Sequence, residues 1–141
     1  MSGNVFAHIG FYRNNFNWIK PNGALLICVL LDKDICSKID VNHNTVVGSF
    51  YTGYGVPAID CDSGNTGLTF TSNIAHSVNG EGAIFVRDPS SDSQHKCLEV
   101  SSYIGYKNLR HGAIVVAPTK EIRFNNMVLI DNGYGSNVMI G

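Results

Sequence analysis

LTFTSNIAHSVNGEGAIFV, residues 68–86, aligns without a gap to LEVSSYIGYKNLRHGAIVV, residues 98–116, thirty positions later. Seven of these nineteen positions are identical, where unrelated segments would share about one or two. Within each copy apolar and polar residues alternate (Leu68, Phe70; Leu98, Val100), the period-two signature of a strand with one buried face. A second apolar run follows the shared glycine, GAIFV from Gly82 and GAIVV from Gly112. Each unit is therefore read as two strands joined by a turn.

Extended outward, the pattern gives five anchors, Ile9, Ile39, Leu68, Leu98 and Ile122, spaced by 30, 29, 30 and 24 residues. Two positions after them stand Phe11, Val41, Phe70, Val100 and Phe124, large and small in turn, which would let stacked interior layers interdigitate. Fourteen positions after them stand Gly23, Gly53, Gly82, Gly112 and Ser136. Asn14, Asn44 and Asn73 occupy the fifth position, a short polar ladder that gives way to Tyr103 and Met127. Helical periodicity is nearly absent, and turn signals recur at Asn22-Gly23, Asn79-Gly80, Asp88-Pro89, Ala117-Pro118 and Asn132-Gly133. The class expected is all-β, one domain over residues 1–141, built as a β-solenoid or parallel β-helix of about five two-strand coils stacked ~4.8 Å apart. The competing architecture is a β-sandwich or jelly roll of short strands.

Composition narrows the function. With 44% hydrophobic residues, 15% charged and 15 glycines, the chain is that of a folded, turn-rich domain. A formal net charge of −1 without a basic cluster argues against nucleic acid as a partner. The longest apolar run, Ala24–Leu31, is eight residues, against the roughly 20 that cross a bilayer as a helix, so no membrane insertion is expected. MSGNVFAHIG is not a signal peptide, which implies synthesis in the cytoplasm. Cys28, Cys36, Cys61 and Cys97 show no CxxC pair and are expected to be buried thiols in a cytosolic product. His8, His43, His76, His95 and His111 show no ligand spacing, and neither a metal nor another cofactor is expected.

Candidate site residues follow from the stacking. The position after each anchor points outward, making a surface column of Gly10, Asp40, Thr69, Glu99 and Arg123. Asp40 and Glu99, two coils apart, would be separated by roughly 9–10 Å, at the edge of the spacing that inverting glycosidases use. They are the only candidate catalytic pair, and binding of sugar hydroxyls is the milder alternative. Tyr54, Tyr103 and Tyr106 fall at turns or strand ends, where an aromatic face suits the C–H face of a sugar. The segment DCDSGNTG, residues 60–67, matches an Asp-box turn, a calcium loop and a nucleophile motif only in part, and reads as a polar connection.

Phrases such as LTFTSNI, LEVSSYI and IRFNNMVLI resemble the coils of parallel β-helix proteins, pectate-lyase-like enzymes and bacteriophage tailspikes among them. The ending IRFNNMVLIDNGYGSNVMIG is similar in texture to phage tail-fibre tips and stems. The resemblance implies a trimeric virion or surface protein that meets host polysaccharide, and the leading expectation is a non-catalytic homotrimeric module that binds a host polysaccharide or receptor at the virion or cell exterior. Two alternatives stand beside it: a polysaccharide lyase or hydrolase fragment using Asp40 and Glu99, and a structural virion decoration or folding-tip protein.

Overall fold

The computed structural model describes residues 2–7, 23–27, 39–57, 59–61, 68–86, 97–116 and 121–139. Among these there is no helix. The strands are β1 (Val5–Ala7), β2 (Gly23–Leu26), β3 (Ile39–Asn42), β4 (Thr45–Val47), β5 (Thr52–Pro57), β6 (Ile59–Asp60) and β7 (Leu68–Thr71). Then follow β8 (Asn73–His76), β9 (Ala83–Val86), β10 (Cys97–Tyr106), β11 (His111–Val116), β12 (Glu121–Ile130) and β13 (Tyr134–Met139). The all-β class is as expected.

Three sheets form. Sheet I runs β1-β4-β8-β10-β12 with β6 at the side of β10, sheet II runs β13-β11-β9-β5-β2, and sheet III is β3-β7. Every pairing is parallel except β6 with β10. The pairs join successive repeats in register: Ile39 faces Leu68, Val41 faces Phe70, Leu98 faces Ile122 and Val100 faces Phe124. Val41, Phe70 and Val100 lie in one apolar cluster with Val46, Tyr54, Ala75, Phe85, Tyr103 and Val115, while Phe124 at the sheet's end is 40% exposed.

Two registers differ from the sequence reading. Val5 faces Thr45 and Gly23 faces Thr52, so the first repeat is not offset by a uniform thirty, and Ile9 and Phe11 lie outside the described residues. Ser136 faces Ala113, which places Gly135 rather than Ser136 opposite Gly112. The cause is a turn shortened by one residue: Leu109 and Arg110 separate Asn108 from His111, but only Gly133 separates Asn132 from Tyr134. A side chain at 133 would collide with the Leu109 carbonyl.

What turns the chain between sheets is a two-residue device used at both corners. Every described residue with positive φ falls in one of two columns. Gly3, His43, Ser72, Ser102 and Asn126 precede the first corner; Gly48, Ser77, Lys107 and Asp131 precede the second. The left-handed residue is followed by one whose side chain turns inward, Asn4, Asn44 and Asn73 at the first corner and Asn108 and Asn132 at the second. Asn73, Asn108 and Asn132 each clip to the preceding repeat in the same way. Asn73 Oδ1 accepts the Asn44 N–H at 3.0 Å and its Nδ2 donates to Val41 O at 2.7 Å. Asn108 accepts the Val78 N–H at 3.2 Å and donates to Ala75 O at 3.3 Å. Asn132 accepts the Asn108 N–H at 3.1 Å and donates to Gly105 O at 2.9 Å. Asn4 continues the first ladder by donating its N–H to Asn44 Oδ1 at 3.1 Å. Backbone groups that the bend removes from the sheets are thereby satisfied inside the molecule.

The glycine column has a steric cause: a Cβ at Gly82 would stand 2.5 Å from Gly112 O and 2.6 Å from Asn108 Nδ2. At Gly135 the same atom would meet nothing within 4 Å. Urea denaturation is thus expected to show Gly82→Ala destabilised by about 3 kcal/mol and Gly135→Ala changed by less than about 0.5 kcal/mol. Asn73→Ala strands a buried N–H and a buried carbonyl and is expected to cost about 3 kcal/mol in the same measurement.

Candidate functional site

The outward column foreseen at Asp40, Thr69, Glu99 and Arg123 is present in two halves. Asp40 faces Thr69 in sheet III, and the Thr69 hydroxyl donates to Asp40 Oδ1 at 2.5 Å. Glu99 faces Arg123 in sheet I, where Asn125 Nδ2 donates to Glu99 Oε1 at 2.9 Å and Arg123 Nε pairs with Glu121 at 2.7 Å. Between the halves the even stacking is broken. Ile59 of β6, antiparallel to β10, takes the place beside Glu99 that Thr69 was expected to hold. Asp40 and Glu99 therefore belong to different sheets and do not share one ladder. Gly10, and residues 62–67 of the DCDSGNTG connection, lie outside the described residues.

Tyr54 and Tyr103 are fully buried, a correction to their nomination as sugar-facing rings. Both have the parity of the interior. Tyr103 stands in the column of Asn44 and Asn73, and its ring fills the space between sheets while its hydroxyl reaches Gly112 O at 3.1 Å. Tyr54 donates to Asn44 O at 2.8 Å and packs edge-on against Phe70 with centroids 5.4 Å apart. Burial raises the pKa of both phenols well above the usual tyrosine value; for Tyr54 the backbone of Ile74 opposes part of that rise. Tyr106 is half-buried on the outside of sheet I, stacked on His76 at 4.6 Å and 10°.

Sheet I carries the first of two surfaces that the sequence reading did not single out. Its inner face supplies Phe6, Val46, Ala75 and Leu129 to the core. By alternation its outer face presents Val5 and Ala7, Thr45 and Val47, Ile74 and His76, Ile104 and Tyr106, Val128 and Ile130. None of these ten is Asp, Glu, Lys or Arg. Val5, Val128 and Ile130 are 70%, 41% and 58% exposed, so the strip is open at its ends and half-buried between. Sheet II differs, because Ile84 and Ile114 on its side away from the core cluster are fully buried. The strip measures roughly 20 Å across the strands at ~4.8 Å per strand. Uncharged surface of this continuity is the kind that marks an interaction face.

The second surface surrounds Glu81, whose carboxylate is only 1% exposed. Arg110 Nη1 lies 3.6 Å and His111 Nδ1 3.9 Å from Glu81 Oε1, both too far for a hydrogen bond. In sequence, NGEG reads as a solvated turn, and nothing in it signals a buried acid. The registers of β5, β9 and β11 place Thr52, Glu81 and His111 in one column, continued by Tyr134 opposite His111.

Cys61 is disulfide-bonded, which corrects the expectation of a thiol there, while Cys28 and Cys36 lie outside the described residues. No family model, no curated protein and no solved structure matches the chain.

The sign of the tyrosine shift fixes a pH response. A phenol whose folded pKa is raised stabilises the fold fully below pH ~10, and that contribution is lost as pH rises toward the folded value. Ultraviolet absorbance at 295 nm is expected to show two tyrosines ionising only with alkaline unfolding, and Tyr103→Phe to halve the amplitude that appears with unfolding.

Proposed function

We propose that the chain is a β-solenoid module of the phage tail-fibre or tailspike kind, non-catalytic, assembled as a homotrimer and binding a surface glycan or receptor outside the cell. The solenoid reading is supported by parallel in-register pairing of successive repeats and by two corner ladders that recur with them. A sandwich or jelly roll is built from antiparallel strands and gives no reason for this pairing. The Cys61 disulfide suits an exterior location.

One observation carries the assembly: the charge-free outer strip of sheet I. Its side chains repeat at the spacing of the strands, so a second array with the same spacing, another copy of this chain, meets it in every layer. The number three comes from the resemblance to tail fibres. Glycan binding is supported by the aromatic and polar groups at the surface away from that strip, the Asp40–Thr69 and Glu99–Asn125 pairs and the His111–Tyr134 stack.

Sedimentation equilibrium at micromolar concentration tests the assembly. The expected mass is three times that of the chain, and Ile74→Asp, which places a charge at the middle of the strip, is expected to sediment as a monomer with unchanged circular dichroism. A wild-type monomer refutes the assembly. Incubation with bacterial capsule or O-antigen is expected to give saturable binding without new reducing ends or unsaturated products.

A further inference from the structure

Among the described residues, three buried side-chain polar atoms have no hydrogen-bond partner: Thr52 Oγ1, Glu81 Oε1 and His111 Nδ1. All three fall in the single column that Tyr134 continues. Buried polar atoms are nearly always paired, and an unpaired carboxylate oxygen is the costliest of the common exceptions. Three such atoms gathered in one place point to a ligand that supplies the missing bonds.

The surroundings select its chemistry. Arg110, whose side chain is 58% exposed, covers the carboxylate from the turn and holds it only at 3.6 Å, so it can swing out without breaking a hydrogen bond. An anionic ligand would meet the Glu81 charge. A metal ion at Oε1 would meet the guanidinium beside the same atom. A neutral hydroxyl meets neither obstacle, because it donates to Glu81 Oε1 while accepting from Arg110 or from Thr52. Tyr134, 65% exposed, stacks on His111 at 5.0 Å and 29°, one strand farther from Glu81, and so holds the imidazole rather than flanking the carboxylate. We infer that Thr52, Glu81, Arg110 and His111 form a binding site for a neutral saccharide, one ring hydroxyl entering between Glu81 and Arg110.

This site rests on the glycan-binding reading above and gives it an address. The test follows the imidazole resonances of His111 in the intact protein, assigned by their loss in His111→Gln. Methyl α-glucoside, methyl α-mannoside, methyl β-galactoside and N-acetylglucosamine are titrated as neutral probes, with glucuronate as the acidic control. At least one neutral probe is expected to shift His111 saturably. Glu81→Gln is expected to weaken that binding about tenfold or more while thermal unfolding stays cooperative, and glucuronate is expected to leave His111 unmoved. Silence of His111 to all four neutral probes, equal binding of glucuronate, or wild-type affinity in Glu81→Gln overturns the site. O-antigen polysaccharide run in parallel separates the two readings: binding that survives Glu81→Gln without moving His111 keeps the glycan reading and sinks this site, whereas no polysaccharide binding at all, with a silent His111, sinks both.

Discussion

The stacked arrangement depends on how the chain bends without leaving backbone groups unpaired in the interior. A left-handed residue makes the bend, and the asparagine after it repays the broken sheet bonds by clipping to the repeat below. The balance is close. A non-glycine residue in the left-handed region costs roughly 1–2 kcal/mol, and two net hydrogen bonds return about the same. The corner thus contributes little net stability where asparagine is present, and it fixes the angle between sheets. Stability comes instead from the shared interior of Val41, Phe70, Tyr54, Phe85, Tyr103 and Val115, which the corners bring together.

That economy explains which parts of the fold could be read in advance. The anchors and the Phe-Val alternation are visible because inward positions must be apolar, and the first ladder because Asn44 and Asn73 stand at one spacing. The second ladder was hidden: its column reads Ser49, Val78, Asn108, Asn132, and its left-handed residues include Ser77, Lys107 and Asp131, of which only Asp131 favours that conformation. The one-residue shortening at Gly133 then shifted the glycine column by one. Sheet III parted from sheet I because β6 turns back against Glu99, and no periodic signal announces an antiparallel insertion.

The site residues divide along the same line. Asp40, Thr69, Glu99 and Arg123 lie on the outward parity that alternation assigned them, since that assignment needs only the strand period. Tyr54 and Tyr103 were misjudged because turn proximity was weighed above parity, although Tyr103 already stood in the inward column with Asn44 and Asn73. Glu81 was missed for a deeper reason. A charged residue between two glycines looks solvated, and only the register that lays Thr52 below it and His111 above it encloses the carboxylate.

The two surfaces lie on different parts of the molecule, and their construction suits different work. The outer strip of sheet I is made of strand residues locked in register, so it is flat, periodic and hard to vary without disturbing the core beneath it. The Glu81 site sits at the second corner, where two residues of turn stand between the inward corner residue and the first residue of sheet II: Phe50-Tyr51, Asn79-Gly80 and Leu109-Arg110. The asparagine ladder already holds the backbone there. Phe50, Asn79, Leu109 and Arg110 are therefore free to change with little effect on the bend, whereas Gly80 is confined by the Tyr51 carbonyl beside it. In the proposed reading, a module that pairs through strands locked in register and recognises through tolerant corner turns can alter its ligand without altering its assembly.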